Sequence, residues 1–257
     1  MLGHLARTLV PARFRPSRYI ENLVRKRTND RVYSGPFAGM RWMAQTGDET
    51  DLHIPKLLGI YERELNSLIE LACRRSFSTI VDIGAAEGYY AVGMALRNPA
   101  ARVVAFEMAC RERSELIARA ILNSVDERIE IRGKCEPGNL EEALANVERP
   151  FVICDTEGYE AVLLDPCCVP SLRRATILVE LHEFVQRGIS KKIYSAFSAT
   201  HQITEIQQEE RTITEFRFRD PYVVFLPKKY LSWAVGESRP EEMSWLWMEP
   251  EADVQRS

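Results

Sequence analysis

The sequence lacks any uninterrupted apolar run of the roughly 20 residues that a membrane-spanning helix needs. Its first residues, MLGHLARTLVPARFRP, also lack the apolar core of a secretory signal. The 13 glycines and 13 prolines follow no collagen period and form no low-complexity block. At 257 residues, the chain is long enough for one α/β-sized domain with appendages. We therefore expect a globular protein, with the cytoplasm as its default compartment.

The cysteines do not have the spacing that is typical of a structural zinc site or of a disulfide framework. No CxxC occurs, and an adjacent pair, Cys167-Cys168, fits neither a zinc-ligand pattern nor an ordinary disulfide framework. We expect all six to be reduced and mostly buried: Cys73, Cys110, Cys135, Cys154, Cys167 and Cys168.

A net charge of -3 conceals an uneven distribution. Residues 1–31 contain eight basic and two acidic residues, so this arm carries +6 and the remaining chain -9. A basic arm could contact nucleic acid, an anionic membrane or an acidic partner, but no nucleic-acid-binding motif accompanies it. We favour a solvated arm that docks on its own acidic domain or on a second subunit. The prediction is thus no nucleic acid and no membrane partner, with a homo-oligomer left open.

Apolar segments of strand length alternate with segments of helical periodicity along the middle of the chain. Strands are predicted at 78–83, 102–107, 128–132, 151–155 and 176–181, and helices at 56–75, 87–97, 111–123, 138–147, 189–199 and, irregularly, 159–173. Continuous Val/Ile-rich strands separated by helices indicate a parallel sheet covered on both faces. The fold class is therefore α/β with a Rossmann-like, mostly parallel sheet.

The two ends of the chain are expected to lie outside this alternation. Residues 1–55 would form the basic arm and a small hairpin or cap, and residues 56–227 the main domain. Within that domain, HQITEIQQEE and PYVVFLP are predicted to form an antiparallel edge hairpin. Residues 228–257, with three tryptophans, are predicted to be a packing tail or an oligomer contact.

The end of the first predicted strand carries a ligand-binding pattern. In an open parallel sheet, ligands bind outside the carboxyl ends of the strands. Two glycines there allow close backbone approach, the next helix directs its N–H groups at the same place, and an acid about twenty residues later can accept from ribose hydroxyls. The expected contacts to an adenosine cofactor are Asp82, Gly84, Ala85, Glu87, Gly88 and Glu107, together with Asp155.

The spacing of these residues distinguishes between adenosine cofactors. A nicotinamide dinucleotide turn normally has the form GxGxxG, whereas here Gly84 and Gly88 are separated by three residues. The carboxylate of Asp82 would repel phosphates, but it suits a ligand with an ammonium and a sulfonium group. S-adenosylmethionine has both groups and is the predicted cofactor.

Four motifs together resemble those of the FkbM family of class I S-adenosylmethionine-dependent methyltransferases. They are DxGxxxG at 82–88, the acid Glu107, D-x-E-G-x-E at 155–160 and E-L-H at 180–182, and the resemblance extends from about residue 75 to 227. The resemblance implies a seven-stranded Rossmann-like sheet and O-methylation of a small natural product, sugar or peptide in biosynthesis. After the third strand, Glu136 is the acid nearest to the place where many relatives contact adenine.

The predicted catalytic residues follow the fourth and fifth strands. Glu180 and His182 are two residues apart and thus on one face of the chain, at the carboxyl edge of the sheet. We expect His182 to act as the general base, with Asp155 and Glu180 beside it and Asp155 also near the methionine end of the cofactor. Several carboxylates in one cleft require compensating charge, for which we favour the cofactor over a metal ion.

Two other classes of function stay open at this point. One is a nucleotide-dependent Rossmann oxidoreductase, which the missing GxGxxG disfavours. The other is a non-catalytic, methyltransferase-like assembly module, against which the retained Asp82, Gly84, Gly88, Glu107 and Asp155 argue. The identity of the acceptor is not encoded in a motif, because such pockets are built from variable segments.

Overall fold

The computed structural model describes residues 15–43, 53–237, 239 and 241–251. Its contacts divide the chain into two compact units. The first consists of the chain up to Arg63 and of Glu209–Ser238, and the second of Glu64–Gln208 and the residues from Arg239 onward. Residues 1–14 of the expected basic arm and 44–52 of the expected cap lie outside the described residues.

The second unit contains the predicted sheet. Its seven strands are β1 (Thr79–Ile83), β2 (Arg102–Phe106), β3 (Ile129–Arg132), β4 (Pro150–Cys154), β5 (Thr176–Leu181), β6 (His201–Gln207) and β7 (Ser244–Pro250). They lie in the order β3-β2-β1-β4-β5-β7-β6, with the first five parallel and β7 antiparallel to both β5 and β6. The predicted fold class is confirmed, and the strand order reverses between β1 and β4.

Helices connect the strands at the predicted places. In the sheet unit they are α3 (Asn66–Arg74), α4 (Tyr89–Arg97), α5 (Cys110–Leu122), α6 (Pro137–Leu144), α7 (Glu160–Leu163) and α8 (Ile189–Phe197). Short 3-10 turns occur at Arg63–Leu65, Asp126–Arg128 and Pro170–Arg174. All residues of β1, β4 and β5 are buried, as a parallel sheet with both faces covered requires.

The partner of β6 differs from the sequence-based expectation. Residues 221–227, predicted to be the second strand of an edge hairpin, instead begin with a short helix, Pro221–Val224. The strand that pairs with β6 is β7, whose Trp245 and Trp247 are buried. Because β7 also pairs with β5, a segment expected to be a packing tail lies inside the sheet. Trp247 contacts Phe151 of β4 at 5.6 Å between ring centroids, so aromatic packing stabilises this position.

The first unit contains α1 (Pro16–Thr28), α2 (His53–Leu58), α9 (Pro221–Val224) and α10 (Lys228–Val235), with a 3-10 turn at Ile213–Glu215. An antiparallel bridge joins Arg31 to Arg41. The predicted continuous helix over 56–75 is wrong, because α2 ends before Gly59 (φ 72°), whose backbone lies against the carbonyl of Ser34. Glu62 also has a positive φ, of 46°.

Two further expectations concern the cysteines and membrane-spanning helices. All six cysteines are free, as predicted, but Cys110, Cys167 and Cys168 are exposed, so the expectation of mostly buried thiols is wrong for half of them. Burial raises the pKa of Cys73 to about 11 and of Cys135 to about 12. Within the described ranges, no helix is long and apolar enough to cross a membrane.

Candidate active site

The turn that follows β1 is held by backbone hydrogen bonds to the end of β2. The N–H groups of Gly84 and Ala85 both donate to the carbonyl of Phe106, the last residue of β2, at 2.9 and 3.0 Å. Gly84 has φ 79°, and a β-carbon there would lie 1.6 Å from the carbonyl oxygen of Asp155. Only glycine fits this position, because it tolerates both the left-handed backbone and the close approach of the chain after β4.

Gly88 closes the turn at the start of α4. Its φ is 91°, and a β-carbon would lie 2.8 Å from the Cγ of Leu116 on α5. The first residue of α4 is Tyr89, so only residues 84–88 separate the helix from the end of β1 and its N-terminus lies next to the turn. We call residues 84–88 the glycine turn.

Glu107 connects the glycine turn to the end of β2. Its Oε2 accepts from the N–H of Ala86 at 2.9 Å, and its Oε1 from the N–H of Ala109 at 2.6 Å. A carboxylate has about four acceptor positions, so two remain for other donors. The side chain is half-buried and therefore stays accessible to a ligand.

A buried ion pair supports the far side of the glycine turn. Arg119 on α5 donates to the carbonyl of Glu87 at 3.2 Å and to Glu115 at 3.1 Å. Arg119 is not among the predicted site residues, although the Glu115–Arg119 spacing of four residues on one helix is a signal for an ion pair. Asp82 is buried in β1, next to this turn. The predicted cofactor residues that precede β4 thus all lie within or beside one turn.

The loop after β4 is built around the carboxylate of Glu160. The N–H groups of Thr156 and Gly158 each donate to its Oε1 at 3.1 Å. The chain reaches this arrangement through positive φ angles at Glu157 (54°) and Gly158 (108°). A β-carbon on Gly158 would lie 2.5 Å from Val185, which explains the glycine in the D-x-E-G-x-E motif.

His182 approaches the same carboxylate from the end of β5. Its Nδ1 lies 2.7 Å from Oε1 of Glu160, and both side chains are almost completely buried. Burial alone would raise the pKa of Glu160, but the hydrogen bonds from His182 and Gly158 outweigh it and lower the pKa. Because an ionised carboxylate only accepts, Nδ1 carries the hydrogen and Nε2 is the atom left to exchange a proton.

The Nε2 atom of His182 faces two further acids. It lies 3.6 Å from Oδ1 of Asp155 and 3.5 Å from Oε2 of Glu157, whose side chain is 79% exposed. Burial would lower the pKa of His182, yet the hydrogen bond to Glu160 and the negative charges of the three acids raise it overall. One ligand-type atom from each of Asp155, Glu157 and His182 lies within 4.8 Å of the others, a grouping that could hold a metal ion. We call these three residues together with Glu160 the acidic histidine cluster.

The ion-pair partner of Glu180 is an arginine and not a member of the acidic histidine cluster. Glu180 forms a buried ion pair with Arg239, and the Arg239 guanidinium stacks on Trp245 at 5.2 Å. The structure thus brings Asp155 and His182 together, whereas it compensates the charge of Glu180 by an arginine 59 residues away in sequence. Glu136 similarly binds neighbouring side chains, Lys134 at 2.6 Å and the hydroxyl of Tyr159 at 2.8 Å.

Glu160 is completely buried, although its place in the D-x-E-G-x-E motif does not predict this. An acid at the start of a helix is equally explained by the helix dipole. The hydrogen bond to His182, 22 residues away, shows that Glu160 is instead the buried partner of the imidazole.

Comparisons with known proteins find similar folds at low identity. No protein-family model matches the chain, and no curated protein matches its sequence. An O-methyltransferase from Streptomyces achromogenes involved in tomaymycin synthesis, solved in complex with SAM, is 14% identical over 75% of this chain and 81% of its own, with a TM-score of 0.48. An O-methyltransferase from Bacillus cereus in complex with SAH is 12% identical over 96% of both chains, with a TM-score of 0.46. The precorrin-6y C5,15-methyltransferase of Geobacter metallireducens is 14% identical over 69% of this chain and 84% of its own, with a TM-score of 0.45.

Proposed function

We propose that this chain is an S-adenosylmethionine-dependent methyltransferase that methylates an oxygen of a small acceptor. The observation that carries the proposal is Glu107, whose carboxylate bridges the glycine turn and the end of β2 at the carboxyl edge of a Rossmann-like sheet. Ligands of such sheets bind at this edge, near the strand-order reversal. A GxGxxG turn for a dinucleotide is absent from 82–88.

The residues of the site fit the proposed cofactor. Glu107 keeps acceptor positions for the two ribose hydroxyls, and the glycine turn lets a ligand approach the backbone closely. Asp82 and Asp155 supply negative charge for the ammonium and sulfonium groups, and the main chains of Gly84 and Asp155 are adjacent. When bound, S-adenosylmethionine supplies a methyl group activated by a positively charged sulfur.

The acidic histidine cluster handles the proton of the acceptor. Glu160 holds His182 through Nδ1, so Nε2 is oriented toward Asp155 and Glu157. A hydroxyl placed at Nε2 would donate its proton to the imidazole while its oxygen becomes the nucleophile. The nearby carboxylates stabilise the imidazolium that results, as the raised pKa of His182 indicates. Glu160 is thus a positioning residue and His182 the general base.

Within this class, membership of the FkbM family is supported by the motif residues, because Glu157, Gly158 and Glu160 together form the loop that receives His182. The resemblance then favours a small natural product, sugar or peptide as the acceptor. A screen of hydroxyl-bearing compounds of these three kinds with methyl-labelled S-adenosylmethionine tests this, with His182→Ala as the background control.

Calorimetry with S-adenosylhomocysteine and NADH tests the class of protein without knowledge of the acceptor. We expect binding of the former and none of the latter. Binding of NADH alone would favour the oxidoreductase, and binding of neither would favour the non-catalytic module. Binding of S-adenosylhomocysteine without methylation of any hydroxyl compound would keep the cofactor and overturn the acceptor class.

A further inference from the structure

A group of apolar side chains in the first unit stands in solvent. Residues 221–227, which we call the apolar tip, include Val224 at 76% exposure, Phe225 at 86% and Tyr222 at 56%. Isolated exposed apolar residues are ordinary, but adjacent ones of this size mark an interaction site. The sequence PYVVFLP has the composition of a buried strand, so its exposure is a property of the fold.

Specific contacts hold the apolar tip in place. Asp220 caps its short helix and accepts from the N–H groups of Tyr222 and Val223 at 2.9 and 3.3 Å. Tyr19 of α1 donates its hydroxyl to Asp220 at 3.0 Å and packs on the ring of Tyr222 at 4.6 Å. Val223 is buried and anchors the turn. Val224 and Phe225 are therefore presented to solvent by a hydrogen-bonded turn.

Basic residues surround the apolar tip on both sides. Arg217 and Arg219 precede it, Lys228 and Lys229 follow it, and all four are exposed. Residues 15–31 and 217–230 together contain ten basic and three acidic residues, a formal net charge of +7. Each of the acids has a partner: Glu21 pairs with Arg18, Asp30 with Arg25, and Asp220 accepts from Tyr19.

The face of α1 next to the apolar tip continues this charge. Tyr19, Asn22 and Lys26 are spaced by three and four residues and thus share one face of the helix, which Arg15 precedes as the N-cap residue. Tyr19 places this face against Tyr222. The apolar tip and the basic face of α1 therefore form one surface within the first unit.

We propose that this surface docks on an anionic lipid bilayer, with Val224 and Phe225 inserted among the headgroups and the lysines and arginines on the lipid phosphates. Apolar residues flanked by basic ones are the pattern of proteins that lie on a membrane rather than span it. A second copy of the chain would bring one strongly positive surface against another. Double-stranded nucleic acid would use the charge but leave the exposed side chain of Val224 without an apolar contact. The sequence predicts no membrane partner, so docking on a bilayer goes beyond that prediction, and it is independent of the proposed enzymatic activity.

Co-sedimentation of the full chain with vesicles tests this proposal. We expect binding to vesicles of phosphatidylcholine and phosphatidylglycerol, little binding to phosphatidylcholine alone, and weaker binding at high salt. The double variant Val224→Ser/Phe225→Ser should lower the partition coefficient by about tenfold or more, because its apolar contacts with lipid are lost. Lys228→Glu/Lys229→Glu should lower it by a similar factor.

Matched variants in the second unit serve as controls. Ile117 and Ile121 are 45% and 58% exposed, so Ile117→Ser/Ile121→Ser removes two exposed apolar side chains, and Lys191→Glu/Lys192→Glu reverses an exposed lysine pair. Neither should change vesicle binding. Absence of binding by the unmodified protein, or equal losses in control and tip variants, would overturn the proposal. A soluble dimer that Val224→Ser/Phe225→Ser dissociates would also overturn it and assign the surface to a second copy.

Discussion

The two halves of the candidate active site are built from different chemical groups, backbone in one half and side chains in the other. The half at β1 and β2 is mostly backbone: two glycines with positive φ and N–H groups that pair with Phe106 and Glu107. The half at β4 and β5 is mostly side chain: a buried Glu160 and His182 with Asp155 and Glu157 around them. The first half depends on space and backbone conformation, whereas the second depends on charge. Substitutions should therefore act on binding and folding in the first half and on proton transfer in the second.

The largest effect is expected for His182→Ala. Loss of the general base should reduce turnover of a hydroxyl acceptor by roughly 10²–10⁴-fold while S-adenosylhomocysteine affinity stays nearly unchanged. A carboxylate acceptor should be affected much less, because it needs no base. Turnover and calorimetry measure the two quantities separately. Near-normal turnover of a hydroxyl compound would remove His182 from the mechanism, and activity that disappears with chelator and returns with magnesium would assign the cluster to a metal ion.

Gly84→Ala should be the most damaging single change in the backbone half. Its β-carbon would overlap the carbonyl of Asp155 at 1.6 Å, so we expect the free energy of unfolding to fall by at least about 2 kcal/mol. Gly138→Ala is the matched control, since a β-carbon there meets no atom within 4 Å. Denaturant titration measures both, and equal stability of the two variants would contradict the close approach at Gly84.

Glu107→Ala should weaken binding and lower stability modestly, because the N–H groups of Ala86 and Ala109 also lose their acceptor. Loss of two charge-assisted hydrogen bonds to ribose should reduce S-adenosylhomocysteine affinity at least about tenfold. Glu127→Ala, on an exposed 3-10 turn, should leave affinity unchanged. If a folded Glu107→Ala variant binds as tightly as the parent chain, the adenosine lies elsewhere.

Glu160→Gln should have the smallest effect on turnover and the clearest one on titration. Removal of this negative charge should lower the pKa of His182 and release the preference for hydrogen on Nδ1. Because the pKa of folded His182 is raised, its stabilisation is complete below the unfolded value of about 6.5 and is lost as the pH rises through the folded value. The Glu160→Gln variant should therefore lose less stability than the parent chain as the pH rises from about 6.5 through the folded pKa of His182. Nitrogen NMR of the imidazole gives both pKa and tautomer, and an unchanged titration would contradict the dyad.

The sequence predicted the backbone half better than the side-chain half. Gly84, Gly88 and Glu107 are close in the chain to strands whose apolar runs mark them, so local spacing was sufficient. Whether they bind the cofactor stays a prediction. Glu160 was not identified as the partner of His182, because a hydrogen bond between residues 22 positions apart leaves no periodic signal. The ion-pair partner of Glu180 could not be predicted for the same reason, because Arg239 is 59 residues away in the chain.

The sequence by itself determined the α/β class, the five parallel strands to within a residue or two and the glycine turn, because all of these depend on local hydrophobic periodicity and on backbone freedom. Only the tertiary structure decided that β7 rather than residues 221–227 pairs with β6. Both segments are apolar, and strand propensity alone does not distinguish them. The choice depends on which segment packs its aromatic residues against β4 and β5, and that is a contact between residues distant in the chain.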